Sequence, residues 1–143
     1  MKLALIAAVS LFATPTIAGE WAWVASGEVI NVGMDRATVR KVGNRSTAWV
    51  ATVYPTPQTV AGMQYTFRVE RRVFDCAEET QAVNYVAIYM DNRQVDARTL
   101  PGEPSPMIPD TTGYGVMTAA CSPANITGPF YGSSFDFAEA YSK

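Results

Sequence analysis

Met63, Tyr65, Phe67 and Val69 alternate with Gln64, Thr66, Arg68 and Glu70. A period of two puts the four apolar side chains on one face of an extended strand and the four polar ones on the other. This stretch therefore reads as one half-buried strand of a sheet, and the rest of the chain has to supply its neighbours and its cover. Past Arg71-Arg72 the apolar residues Phe74 and Cys76 take the opposite parity. Either the strand ends there, or one extra residue bulges near Glu70 to Arg72 and flips the phase.

Turn residues recur every eight to twelve positions along the chain and mark out the neighbours. Trp21 to Ala25 and Val29 to Met34 flank Ser26-Gly27-Glu28, and Thr38 to Val42 and Ser46 to Tyr54 flank Gly43-Asn44-Arg45. Glycine and asparagine tolerate the left-handed backbone of tight hairpins. Ala82 to Met90 is apolar at both parities, which predicts a strand covered on both faces, and Asp91-Asn92-Arg93 turns it into Gln94 to Leu100. Pro101, Pro104, Pro106 and Pro109 then make a stiff crossing loop that neither coils into a helix nor pairs. Asp110-Thr111-Thr112 has the look of a helix N-cap, but Gly113 and Gly115 each cost about 1 kcal/mol inside a helix, which leaves that segment undecided. Ser133 followed by Asp136 is a capping pattern for a short helix over Ser134 to Tyr141, with Phe137 and Tyr141 on one face. The expectation is a mainly β domain (α+β at most): a single antiparallel sheet of about six short strands with a short helix near the C-terminus.

The N-terminus predicts export. Met1-Lys2 carries a positive charge, Leu3 to Phe12 is apolar apart from Ser10, and Thr16-Ile17-Ala18 offers small residues for cleavage. That order is the pattern of a secretory leader, and the run falls short of the roughly 20 apolar residues of a bilayer span. Residues 1–18 are read as a signal peptide and 19–143 as one domain, with no membrane span once the leader is cleaved. Lys2 leaves with the leader, so ten basic residues face thirteen acidic ones, a balance that argues against nucleic acid as a partner. Cys76 and Cys121 are the two cysteines, and in an exported chain the prior moves toward a disulfide, two free buried thiols being the alternative.

Catalytic chemistry has little to work with. The chain has no histidine, which removes Ser-His-Asp and Cys-His catalysis and the imidazole ligands of most catalytic zinc sites. Glu78 and Glu79 are adjacent, and on a strand adjacent side chains point to opposite faces. No enzyme, cofactor or metal is expected. The charge pattern is less uniform: residues 36–72 hold Arg36, Arg40, Lys41, Arg45, Arg68, Arg71 and Arg72 against Glu70 alone, whereas residues 73–143 hold three basic and nine acidic groups. Arg40, Arg68 and Arg72 are the candidate lining of a patch for anionic polymers or acidic protein surfaces. The competing reading is that the two blocks neutralise each other within the fold or across a homodimer.

The order of these features resembles the surface-adhesin protein E family. It runs from Trp21 and Trp23 through Ala37-Thr38-Val39-Arg40-Lys41-Val42-Gly43-Asn44 to Trp49, then the long strand ending in Phe74-Asp75-Cys76, the hairpin over 82–100, the proline loop and Cys121. The resemblance implies an antiparallel sheet with a helix packed near its end, a Cys76–Cys121 bridge, and exposure at the cell envelope, whether periplasm, outer surface or secreted. It also implies a binding role toward extracellular or envelope proteins. A periplasmic enzyme inhibitor, of which Thr112-Gly113-Tyr114 is a loose echo of a lysozyme-inhibitor pattern, and a purely structural envelope protein are the alternative functions. Mass spectrometry of the exported protein is expected to find its N-terminus at or near Gly19; an intact Met1 on cytoplasmic protein would remove the basis for export.

Overall fold

The computed structural model describes residues 18–143; the expected leader lies outside the described residues except for Ala18. Eight strands form one antiparallel sheet: β1 (Trp21–Gly27), β2 (Ile30–Asp35), β3 (Arg40–Val42), β4 (Arg45–Val60), β5 (Met63–Asp75), β6 (Thr80–Met90), β7 (Arg93–Thr99) and β8 (Ser105–Pro106). Their order is β1-β2-β4-β5-β6-β7, with β3 pairing β4 and β8 pairing β6. Two helices follow the sheet in sequence, α1 (Thr112–Cys121) and α2 (Ser134–Tyr141). The mainly β, single-sheet expectation holds, but the strands are not all short, since β4 and β5 run for 16 and 13 residues.

The β4–β5 ladder explains the phase change in the sequence. Its register runs unbroken from Arg45↔Asp75 to Val53↔Phe67, so β5 neither ends nor bulges at Arg71-Arg72. The irregularity there belongs to β6, where Arg71 faces Tyr85 and Arg72 faces Val83, leaving Asn84 as the extra residue. What changes along β5 is which face is covered. Odd-numbered Phe67 and Val69 are buried at one end and even-numbered Phe74 at the other, because the two helices lie on opposite faces at opposite ends.

α1 packs on the even face. Val116, Met117 and Ala120 join Ala22, Met34, Ala48, Val50 and Phe74 in one core. Thr111 caps this helix, its hydroxyl accepting from the Tyr114 N–H at 3.3 Å. The two glycines that left the segment undecided are tolerated for a tertiary reason. A Cβ on Gly115 would make an ordinary contact with the Ala25 Cβ at 3.4 Å, and one on Gly113 would meet the flexible end of Met107 at 2.7 Å, so packing does not demand either glycine and the burial of the helix face carries their cost. Burial of Val116 and Met117, at about 1.5–3 kcal/mol each, outweighs about 1 kcal/mol per glycine.

α2 packs on the odd face, where Phe137 and Ala138 meet Trp21, Ala51, Val53, Phe67 and Val69. The Ser133 hydroxyl accepts from the Asp136 N–H at 3.1 Å and donates to its carboxylate at 2.7 Å, which is the cap read from the sequence. Gly33 is the floor under this helix. A Cβ there would lie 2.5 Å from the Phe137 ring, so only glycine lets the ring reach the sheet.

The proline loop is not wholly unpaired, since Pro106 faces Thr80 and Ser105 faces Gln81. Proline has no N–H to give, which confines it to sheet edges such as this two-residue strand.

Cys76 and Cys121 are bridged, with their Cα atoms 5.9 Å apart. The bridge joins the end of the β5 segment to the last residue of α1. It has non-covalent company: the Ser46 hydroxyl donates to the Ala120 carbonyl at 2.6 Å and the Lys41 ammonium to the Cys121 carbonyl at 2.8 Å. The C-terminal third thus has apolar anchors of its own, which the loop-rich sequence did not reveal. Cys121→Ser is expected to lower unfolding free energy by about 2–5 kcal/mol, chiefly by releasing the unfolded chain. Denaturant melts check this, and hydrogen exchange is expected to keep the β4–β5 amides protected longest.

Candidate functional site

α1 covers the even face over β1, β2, β4 and the Phe74 end of β5, and stops there. Beyond it, no helix among the described residues lies above the even face of β5, β6 and β7. Register defines three rows across this open area. Thr52, Arg68, Ile88 and Asp96 lie side by side, then Val50, Glu70, Val86 and Arg98, then Ala48, Arg72 and Val83. The Ala82 to Met90 segment is indeed apolar on both faces, but only one is covered. Tyr89 stacks on Phe67 at 4.7 Å on the α2 side, while Val83, Val86 and Ile88 line an open hollow of about 250 Å³ with Leu100, Val60 and Tyr65.

The floor of the hollow is ionic. Glu70 is 5% exposed and Arg72 is 7% exposed. The Arg72 Nε donates to a Glu70 carboxylate oxygen at 2.8 Å, and an Nη of the same guanidinium makes a second, shorter contact. Its other Nη donates to Gln81 Oε1 at 3.2 Å. Arg68 approaches the second Glu70 oxygen at 3.3 Å. That distance suits an ion pair, but the Arg68 Nε is not aligned as a hydrogen bond and is otherwise unpartnered. One carboxylate thus serves two guanidiniums, and the Arg68 group, half-buried and lying 5.9 Å from the Tyr54 ring centroid, is only partly compensated. Burial pushes the Tyr54 hydroxyl above its ordinary pKa, so it stays a neutral phenol beside that cation. On the rim Asp96 pairs with Arg98, and the hydrogen bond from Arg98 lowers the Asp96 pKa. The hollow carries one positive charge in excess over an aliphatic surface.

Of the three arginines singled out in the sequence, two meet here and one does not. Arg68 and Arg72 share the even face. Arg40 is opposite Thr47, which lies on the odd face, and its guanidinium donates to the carbonyls of Ala37 and Val39 at 3.0 and 3.1 Å. The basic block is dispersed rather than gathered: Arg36 pairs with Glu20, and exposed Arg71 lies on the odd face beside Trp49 and Tyr85. Among the described residues one ion pair, Arg98–Asp96, lies within the acidic block, and none joins that block to the basic one. Thr112-Gly113-Tyr114, the loose inhibitor-like pattern, forms the first turn of α1, with the Tyr114 hydroxyl donating to Glu79 at 2.8 Å. Glu70, Val83, Val86, Ile88, Asp96 and Arg98 were not singled out. The double-parity apolar pattern of β6 was the one sign of them, since a second apolar face needs a cover that this chain supplies only once.

These features define a disulfide-linked sheet module with each face covered by one helix over part of its area. A family profile, surface-adhesin protein E, matches residues 21–122. The chain belongs to the surface-adhesin protein E family. The match ends just after Cys121, so it takes in the whole sheet, α1 and the disulfide, and leaves α2 outside. No curated protein sequence matches the chain.

The buried triad generates a stability test. Removing one partner of a buried pair leaves an uncompensated charge, which costs about 3–5 kcal/mol. Glu70→Ala is expected to destabilise by that order in denaturant melts, and Arg98→Ala, on the exposed rim, to change stability little.

Proposed function

We propose that this chain is an exported, non-catalytic binding module that attaches to extracellular or envelope proteins through the open face of β5, β6 and β7. A leader over residues 1–18 would carry it out of the cytoplasm, and among the described residues no helix is long and apolar enough to cross a membrane. Family membership supports attachment to partners outside the cell. The observation that carries the choice of surface is the half-buried pair Val83 and Val86, with buried Ile88 beside them, on a sheet face over which no described helix lies, set on the buried Glu70–Arg72 pair.

Such a face has what protein recognition requires. Its apolar centre gains free energy on losing water, and its charged rim aligns a partner without dominating affinity. The ionic floor is already hydrogen-bonded, so a partner need not satisfy it from scratch. The excess positive charge favours a partner with an acidic margin.

The test uses the purified 19–143 domain and immobilised extracellular-matrix proteins, with heparin as an anionic-polymer arm. Val86→Arg and Arg68→Gln are each expected to weaken protein binding about tenfold or more, by losing a central anchor, with melting behaviour confirming the fold. Arg40→Gln, on the opposite face, is expected to leave binding unchanged. Binding that survives both face variants would move the contact elsewhere, and binding to heparin alone would replace a protein partner with a polyanion.

A further inference from the structure

A second concavity lies away from that face, at the β1 edge. It encloses about 440 Å³ between β1, α1 and the segment that crosses from α1 to α2, within the range of small-ligand sites. Trp23, 44% exposed, and Tyr141 line it, and the Asn125 amide and the Thr127 hydroxyl supply polar groups, while the Thr118 hydroxyl donates to the Tyr114 carbonyl at 3.0 Å and keeps only acceptor capacity. No residue lining it carries a charge at neutral pH; burial pushes the Tyr141 hydroxyl above its ordinary pKa, so it stays protonated.

The backbone adds to this polar set. Trp21 and Tyr131 exchange two main-chain hydrogen bonds, at 3.0 and 2.8 Å, so the N–H and C=O of Trp21 point away from β2. By the two-residue repeat of a strand, those of Trp23 point the same way. Antiparallel continuation of the Trp21↔Tyr131 bridge would bring Pro129 opposite Trp23, and proline has no N–H to give. Farther along the same edge, the Ser26 carbonyl is taken by the Thr112 hydroxyl at 3.1 Å. The edge is thus closed at both ends and open in the middle, where the cavity lies.

We propose that this edge cavity binds a neutral saccharide. An anionic ligand finds no cation in the lining. A purely apolar one would cover the Asn125 amide, the Thr127 hydroxyl and the Trp23 main-chain groups without partners, and each buried unpaired group costs about 1–3 kcal/mol. A pyranose satisfies both demands at once. Its C–H face lies against the electron-rich face of the indole, and its hydroxyls give and accept hydrogen bonds with amide, hydroxyl and main-chain groups. The loop that carries Asn125 and Thr127 is held from outside the cavity. The Asn125 N–H bonds to the Ser122 carbonyl at 2.9 Å and an Arg36 Nη donates to the Ile126 carbonyl at 3.3 Å, so the polar groups are pre-positioned.

The site is separate from the open sheet face, and its test is read separately. The 19–143 domain is titrated with cellobiose, maltose and N,N′-diacetylchitobiose to about 20 mM, a range that detects millimolar binding, while the indole N–H and amide resonances are followed by NMR. At least one of these sugars is expected to shift the Trp23 indole and the Thr127 amide, and the acetamido arm separates an N-acetylated glycan from a plain one. Trp23→Ala is expected to abolish the shifts with an unchanged melting temperature; should that variant fold poorly, the exposed pair Asn125→Ala/Thr127→Ala is expected to weaken binding at least tenfold. Val86→Arg is expected to leave the sugar response intact. No shift with any of the three sugars, shifts that persist in both cavity variants, or a stronger response to sialyllactose than to the neutral sugars would each overturn the proposal.

Discussion

The ladder between β4 and β5 is the constraint on which the rest of the molecule depends. Its unbroken register from Arg45↔Asp75 to Val53↔Phe67 fixes which side chains share a face, and both helices read that division. Even-numbered Ala48, Val50 and Phe74 receive α1, and odd-numbered Ala51, Val53, Phe67 and Val69 receive α2. A slip of one residue would exchange the faces and place the Glu70–Arg72 pair, which moves as a unit because both residues lie on β5, in the apolar core under α2. The buried ion pair therefore works against misregister as well as contributing to the native state. α2 also needs the close approach that Gly33 gives Phe137, so the ladder and that glycine together specify how α2 docks.

The buried charges carry a cost that bears on function. Two guanidiniums and one carboxylate taken from water lose several kcal/mol of hydration each, and a chain selected for stability alone could fill the same space with aliphatic residues. Here the triad sits where α1 stops, on the margin between covered and open sheet. Charged side chains under an open aliphatic surface keep it from acting as an unprotected sticky face in the free protein. They also offer a partner directional groups at its centre. β7 extends the same logic to the edge, where Arg93, Asp96 and Arg98 discourage pairing with another chain.

Much of this architecture was legible in the sequence, and what was not has physical reasons. The Met63 strand, the hairpin turn at Asp91-Asn92 and the Ser133 cap are governed by neighbours in sequence, and each is found where its local pattern put it. Asp91 and Asn92 both take left-handed backbone, with φ of 48° and 60°, as a tight hairpin requires. The phase change after Glu70 was visible but open to two local explanations, and neither holds. Its cause is the placement of two helices on opposite faces, which no window of sequence contains. α1 was obscured by Gly113 and Gly115, whose cost is local, whereas the burial of Val116, Met117 and Ala120 that offsets it is tertiary. Arg40 was grouped with Arg68 and Arg72 by composition, whereas the register of β3 against β4 turns it to the other face. The open site depends on where α1 ends relative to β6, so β6 could show its second apolar face but not whether that face was covered.

The same geometry accounts for both the open hollow and the edge cavity. A helix packed across a twisted sheet cannot cover all of a face, and α1 is drawn toward β1 by Gly115 and Ala25 and tied toward β3 and β5 by the Lys41 contact and the Cys76–Cys121 bridge. Held at that end, it leaves β6 and β7 bare. The chain must then pass from the even face to the odd face to place α2, and the shortest way round is past the free edge of β1. That crossing segment pairs with β1 only at Trp21 and parts from it at Pro129, which opens the edge cavity beside Trp23. The bare face is aliphatic and cationic because it is unfinished core. The edge cavity is uncharged and rich in hydrogen-bonding groups because it is strand edge and crossing loop. Different origins give the two surfaces different chemistry, so a ligand suited to one has little reason to occupy the other.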